Sequence, residues 1–210
     1  MSAISYSEFF KTVAGDGKFE PYRYQVRLAC GESEEETKGR DKCESLLIDI
    51  PTGMGKTAAV TLAWLWNRVI LENENWPRRL VYCLPMRTLV EQTRNEVCKW
   101  LENAWQSDPS PELEWLRDNS PVILMGGEKS ESDQAEWDLH PERPAILIGT
   151  QDMLLSRALN RGYGMSRFRW PMHFGLLNND CLWVLDETQL MGVGIETSSQ
   201  LEGLRKDAKL

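Results

Sequence analysis

The alternation of apolar and polar positions divides the chain into five short apolar runs separated by segments with helical spacing. The runs are 45–50 (Ser-Leu-Leu-Ile-Asp-Ile), 79–84 (Arg-Leu-Val-Tyr-Cys-Leu), 121–125 (Pro-Val-Ile-Leu-Met), 145–149 (Ala-Ile-Leu-Ile-Gly) and 181–185 (Cys-Leu-Trp-Val-Leu). Short runs of this composition, bounded by turn-forming residues, predict buried strands. Between them, 58–71 is apolar on nearly every face and predicts a buried helix. Segment 88–105 sets Leu89, Val90, Thr93, Val97, Trp100, Leu101 and Ala104 along one face, and 24–30 also reads as helical. Strands alternating with helices predict βαβ units, hence an α/β fold with a mostly parallel central sheet. In such a sheet ligands bind beyond the carboxyl ends of the strands, so the residues after each run are the candidates for chemistry.

After the first run comes Pro51-Thr52-Gly53-Met54-Gly55-Lys56-Thr57, leading straight into the predicted buried helix. Strand, glycine-containing loop, Lys-Thr and helix form the context a phosphate-binding loop requires. Backbone N–H groups of Thr52, Gly53, Met54 and Gly55 and of the helix start converge on phosphate oxygens, where the helix dipole favours negative charge. Gly53 and Gly55 permit backbone angles and a close approach that a Cβ would block. Lys56 reaches the β- and γ-phosphates, and the Thr57 hydroxyl is suited to Mg²⁺. The usual pattern has a further glycine at position 50, where this chain has Ile50. A bound nucleoside triphosphate is therefore expected. The rival reading is a glycine-rich strand–helix turn with an incidental Lys-Thr.

The last run ends on Asp186-Glu187-Thr188-Gln189. With a phosphate loop upstream, Asp186 is expected to hold Mg²⁺ through its waters, and Glu187 to position or deprotonate the attacking water. Taken alone, the pair reads equally as acidic residues at a helix N-terminus. Arg87 and Thr88 follow 79–84 at the start of a predicted helix and suit a nucleic-acid phosphate; an ordinary helix start is the alternative. Gly126 and Gly127 follow 121–125, and Thr150 and Gln151 follow 145–149, where backbone amides at the same sheet edge can take phosphates. Gln25 can donate to and accept from an adenine edge, and Tyr22 can stack on the ring.

Charge narrows the picture. The formal net charge is −8, which argues against a uniformly basic nucleic-acid coat but leaves room for a local groove. Acidic residues crowd 31–44 and 128–142, whereas 153–179 contains none and holds Arg157, Arg161, Arg167 and Arg169 among Tyr163, Phe168, Trp170 and Phe174. Arginine interleaved with aromatics can track a phosphate chain and stack on bases; a basic surface loop packed by aromatics is the rival. The five cysteines form no C-x-x-C pair, which fits free thiols in a reducing cytosol and a cytoplasmic protein. His140 and His173 read as structural or surface histidines, not metal ligands. No apolar run has membrane-spanning length, since 58–71 is interrupted by Asn67 and Arg68, and Met1-Ser2-Ala3-Ile4-Ser5-Tyr6 lacks signal-peptide character, so no membrane association is expected.

The order of these pieces resembles the first RecA-like domain of a superfamily 2 helicase. Pro21-Tyr22-Arg23-Tyr24-Gln25 is similar to its Q motif and 51–57 to motif I, in the Thr-Gly-x-Gly-Lys-Thr form that tolerates a non-glycine first position. Leu84-Pro85-Met86-Arg87-Thr88-Leu89-Val90-Glu91-Gln92 is similar to motif Ia, Gly126-Gly127 and Gly149-Thr150 to later DNA-contact motifs, and 186–189 to motif II. Gln189 departs from the His or Asp common there. Within the superfamily, 148–171 and 173–180, continued by Asp186-Glu187-Thr188-Gln189-Leu190-Met191-Gly192, resemble the CRISPR-associated helicase–nuclease of type I interference systems.

The resemblance covers roughly residues 19–205 and implies a three-layer RecA-like P-loop domain. It implies ATP and Mg²⁺ as cofactors, translocation on single-stranded DNA, and recruitment by the RNA-guided surveillance complex. Three parts are expected: an N-terminal segment with the Q-motif-like helix start over 1–30, an acidic flexible loop over 31–44, and the RecA-like ATP-binding domain over 45–210. The family's second RecA-like domain and His-Asp nuclease domain have no counterpart in this sequence, so hydrolysis is expected only with that missing second domain. Two other readings stay open: a stand-alone P-loop ATPase or kinase, and a non-catalytic nucleic-acid-binding module.

Overall fold

A parallel sheet needs strands buried on both faces and joined by long crossovers, and the apolar runs after residue 77 meet that demand. The computed structural model describes residues 4–15, 17, 19–32, 35–126, 136–163 and 165–208. They fall into two compact units, Met1–Pro77 with Val97–Arg117, and Arg78–Glu96 with Asp118–Leu210.

The second unit holds the sheet. Strands β1 (Arg79–Leu84), β2 (Val122–Leu124), β3 (Ala145–Thr150) and β4 (Cys181–Leu185) lie in the order β2-β3-β1-β4, and every pairing is parallel. Leu84 pairs with Thr150, Cys83 with Leu185 and Leu124 with Gly149, so the strands end together at one edge. Gly149 has no room for a side chain, since a Cβ there would lie 2.6 Å from the Leu124 carbonyl oxygen. All six residues of β1 are buried, as expected for a central strand. Val81, Cys83, Leu124, Leu147, Leu154, Leu155, Leu177 and Leu201 form one core, drawn from the sheet and from α6 (Gln151–Ala158), α7 (Trp170–Asn178) and α8 (Val193–Ala208). Four of the five predicted strands are thus present, together with the α/β class and the parallel sheet that a RecA-like domain requires.

In the first unit, α1 (Tyr6–Gly15), α2 (Arg23–Cys30) and α3 (Lys56–Trp64) pack together, and α1 meets the end of the α3 segment through aromatic rings. Tyr6, Phe9 and Trp66 meet with ring centroids 5.2 to 6.3 Å apart. Beyond Trp64 the helix widens into a π turn, Leu65–Ile70, with the Leu71 N–H bonded five residues back to the Trp66 carbonyl at 2.9 Å. The predicted buried helix is borne out, with Leu62, Trp64, Leu65 and Trp66 almost wholly enclosed. α4 (Arg87–Ser107) likewise buries Val90, Thr93, Val97, Trp100, Leu101 and Ala104, the face its spacing predicted, and α5 (Pro111–Asn119) follows.

Asn67 sits at the centre of the π turn and is wholly buried. Its Nδ2 donates to the carbonyls of Ala29 (2.8 Å) and Ala63 (2.9 Å), and its Oδ1 accepts from the Arg40 N–H at 2.8 Å. The Ala29 carbonyl is one of the orphans that the end of α2 leaves without an intrahelical partner.

The predicted strand 45–50 is a correction. Residues 45–50 form no regular secondary structure and pair with none of the described strands, and Leu47 is 94 % exposed. A strand exists only by virtue of a neighbouring ladder, and an apolar run carries no information about whether one is there.

Burial pushes the Cys30 and Cys83 thiols up to about 12 and those of Cys43 and Cys181 up to about 11. These are inert thiols, and none of the five cysteines is in a disulfide, as the sequence led us to expect. Among the described residues no helix is long and apolar enough to cross a membrane.

Candidate nucleotide and nucleic-acid sites

The phosphate loop belongs to the first unit. Gly53 (φ 84°) and Gly55 (φ 74°) both adopt the left-handed region, which glycine occupies without the steric penalty of a Cβ. Gly55 is the N-cap of α3 and brings no side chain over the first turn, whose N–H groups suit an anion. A Cβ at Gly53 would meet nothing within 4 Å, which leaves open space above the turn. Thr52, Gly53 and Gly55 are exposed, and Lys56 and Thr57 open α3. These donors fit a polyphosphate. Lys56 and the loop amides would hold its oxygens and the Thr57 hydroxyl its divalent ion; the triphosphate itself supplies the anhydride bond whose cleavage releases energy.

Two side chains from α2 shape the loop from behind. The Tyr24 hydroxyl donates to the Met54 carbonyl at 2.5 Å, and Gln25 Nε2 donates to the Gly55 carbonyl at 3.0 Å. Gln25 Oε1 accepts from the Tyr22 N–H at 2.8 Å, which closes the first turn of α2. Gln25 is 2 % exposed. Both ends of its amide are engaged by backbone, so Gln25 braces the loop in this structure. Tyr22 stacks on Tyr24 with centroids 6.1 Å apart and keeps its own ring half exposed, so it retains a face for a base. Any side chain at Gly55 would intrude on this brace, its Cβ lying 2.9 Å from Gln25 Nε2.

In the second unit Asp186 follows β4, its N–H bonded to the Cys83 carbonyl at 3.1 Å. Its Oδ2 accepts from the Tyr82 hydroxyl at 2.8 Å and its Oδ1 from the Glu187 N–H at 2.9 Å. The carboxylate is thus held in one orientation, with lone pairs left for the waters of a divalent ion. Glu187 takes a left-handed backbone (φ 53°, ψ 45°), a conformation that a side chain disfavours and that tends to persist at functional sites. Gln189 Nε2 donates to Glu187 Oε2, so the residue that departs from the usual motif fixes the carboxylate beside it. Sequence reasoning missed the roles of Tyr82 and Gln189. A tyrosine hydroxyl in an otherwise aliphatic strand was the only signal for the first.

The carboxyl ends of β1, β2 and β3 open onto a pocket of about 750 Å³ within the second unit. Arg87, Gly126, Thr150 and Gln151 line it, with Tyr163 and the start of α8 at Val193 and Gly194. α4, α6 and α8 all begin here, at Arg87, Gln151 and Val193, and turn their positive ends to the same space. The Arg87 guanidinium donates to the Gly126 carbonyl, which ties the turn after β2 to the start of α4. Thr88 is exposed on the first turn of α4, and Gly127 lies outside the described residues.

The arginines of 153–179 divide. Arg161 and Arg167 are exposed, but Arg157 is only 8 % exposed, with Nη1 3.4 Å from His173 Nδ1. The expectation that Arg157 meets a phosphate at the surface is corrected: one face of α6 packs inward, and Arg157 lies on it with Leu154 and Ala158. His173 is buried as well, donating from Nε2 to Asp138 Oδ2 at 2.9 Å, edge-on to Trp137. This matches a structural histidine.

Burial holds the His173 imidazole below its ordinary range; Asp138 pulls it upward and Arg157 pushes it further down. The Asp138 carboxyl is raised by burial, but the hydrogen bonds from His173 and Arg169 outweigh that, so it ends below the usual carboxylate range. Both shifts have one consequence. The unfolded chain binds more protons than the folded one, so stability present at neutral pH is lost as pH falls, first through about 6.5 for His173 and at lower pH for Asp138. The thermal midpoint is expected to drop between about pH 7 and about pH 5, and His173→Gln, which keeps a donor to Asp138, is expected to flatten that drop. Thermal melts of the two proteins across this range check it.

Comparison with curated proteins gives no match. The sequence does match the DEAD/DEAH box helicase family over residues 35–209, a span that includes the phosphate loop, the sheet and Asp186-Glu187. Helicases of this kind use ATP with a divalent metal, typically Mg²⁺, in keeping with the phosphate-binding groups of the loop in the first unit and, by itself, with the oriented Asp186 carboxylate in the second. The chain belongs to the DEAD/DEAH box helicase family.

Proposed function

We propose that this chain is the ATP-binding RecA-like half of a superfamily 2 motor that translocates on single-stranded DNA in CRISPR type I interference. The observation that carries the nucleic-acid part is the pocket at the carboxyl ends of β1, β2 and β3, where Arg87, Gly126, Thr150 and Gln151 meet three helix N-termini. Positive helix ends, backbone amides and one guanidinium suit a phosphodiester chain, which is recognised by charge and spacing. Exposed Arg161 adds a cation from the acid-free stretch that follows α6. The CRISPR assignment rests on the resemblance of 148–180 to the type I helicase–nuclease. Its partner would be the RNA-guided surveillance complex, with retention of this chain on that complex as the expected result.

The test is fluorescence anisotropy of a labelled single-stranded oligonucleotide over a salt series, with wild type, Arg87→Ala and Arg161→Glu. Removing either cation should weaken binding and reduce the slope of log affinity against log salt by about 0.7. Unchanged affinity and slope in both variants would remove the pocket and Arg161 from the nucleic-acid path.

A further inference from the structure

The segment joining α6 to α7 is fixed at its base and bare at its tip. Trp170 packs on Gly162, where a Cβ would come within 2.3 Å of the indole Cδ1, and the indole Nε1 donates to the Met165 carbonyl at 3.4 Å. Arg169 pairs with Asp138, whose side chain is 1 % exposed and also accepts the bond from His173. The Arg169 N–H bonds to the Ser166 carbonyl at 3.0 Å, completing the tight turn Arg167–Arg169. An ion pair to a buried carboxylate therefore holds one side of this turn. At its centre Phe168 is 97 % exposed.

A single exposed apolar residue is ordinary on a protein surface. Phe168 differs in its setting, because the turn that presents it is anchored to a buried carboxylate and arginines flank it on both sides. Arg161, Tyr163 and Arg167 are exposed in the same segment, and 153–179 carries no acidic residue in a chain of net charge −8. An apolar protein partner would need a contiguous apolar patch, whereas a phenyl ring beside exposed cations such as Arg167 complements a polyanion that also offers flat faces. Unpaired bases have such faces. Bases inside a duplex are stacked on their neighbours and shut a phenyl ring out.

We propose that Phe168, presented by the Arg169–Asp138 anchor, is a stacking platform for one unpaired base, and that it makes the chain prefer single-stranded over duplex nucleic acid. This rests on the nucleic-acid reading above and adds strand-state discrimination to it. Arg161 and Arg167 supply charge to the neighbouring phosphates and act on both strand states, whereas the ring acts only where a base is free.

The experiment measures binding of the full 210-residue chain to a labelled single strand and to a blunt duplex of equal length, for wild type, Phe168→Ala and Phe168→Trp. Because the ring is exposed, the variants should melt with the wild type, which a thermal scan verifies. Phe168→Ala is expected to weaken single-strand binding roughly 5- to 100-fold and leave duplex binding unchanged, while Phe168→Trp restores it. Single-strand affinity unmoved by Phe168→Ala, as expected of a ring that serves a protein partner, overturns the proposal. So does an equal loss on both ligands. A wild type that binds neither ligand instead sinks the nucleic-acid reading on which the proposal stands.

Discussion

Asn67→Ala is expected to destabilise the first unit by about 2–4 kcal/mol, because it leaves buried backbone groups without partners. Three bonds disappear together: to the carbonyl of Ala29, to the carbonyl of Ala63 and from the N–H of Arg40. The end of α2, the π turn after α3 and the segment at residue 40 then lose their common tie. Gly39 approaches so closely that a Cβ there would lie 2.4 Å from Asn67 Oδ1. A loss of this size is a large fraction of the ~5–15 kcal/mol that stabilises an ordinary domain. Denaturant melts of wild type and variant measure it, with the slope of the transition watched for a change in cooperativity. A variant within about 0.5 kcal/mol of wild type, the range of an ordinary surface substitution, would show that Asn67 is not the tie described. The effect should reach the nucleotide site too, because α2 carries Tyr24 and Gln25 against the loop and α3 begins at Lys56.

What could be read from the sequence was what local chemistry determines. The loop around Gly53 and Gly55 announced itself because left-handed backbone and a following Lys-Thr are local requirements, and both glycines adopt that backbone. β1, β2, β3 and β4 were visible as apolar runs, and the buried face of α4 as a helical stripe. Segment 45–50 looked the same as they did and is not a strand, since pairing depends on a neighbour that no local window contains. Gln25 and Arg157 likewise have partners that no local window contains. Their polarity spoke for exposed, ligand-facing roles, but Gln25 reaches the Gly55 carbonyl 30 residues away and Arg157 lies beside His173, 16 residues on. Tyr82 and Asp186 are 104 residues apart in sequence and meet only because β1 and β4 are neighbours in the sheet. Candidate site residues were therefore found by type, while the residues that hold them were invisible until the fold was known.

The family and the site geometry have different reach. Membership of the DEAD/DEAH box helicases follows from a match over residues 35–209 and brings ATP with a divalent metal. The reading of a single-stranded nucleic acid rests on the pocket beyond β1, β2 and β3 and on Phe168, and the choice of DNA and of a CRISPR partner on the resemblance of 148–180. Each can fail without the others, and the experiments above separate them.

Lys56→Ala is the second large effect. An ammonium group on phosphate makes charge-assisted hydrogen bonds, and its removal leaves the polyphosphate with the loop amides alone. The loss expected is roughly 100-fold in affinity, as about 2.7 kcal/mol of such bonding disappears. Since Lys56 is part exposed at the start of α3 and Gly55 forms the cap, the fold should survive. Calorimetric titration of ATP with Mg²⁺ into wild type and Lys56→Ala is thus the most direct test that this loop holds a nucleoside triphosphate. Saturable binding by the wild type, competed by ADP and weakened roughly 100-fold in the variant, is the predicted result. Equal affinity in the two proteins, or a wild type that takes up no nucleotide, would contradict it.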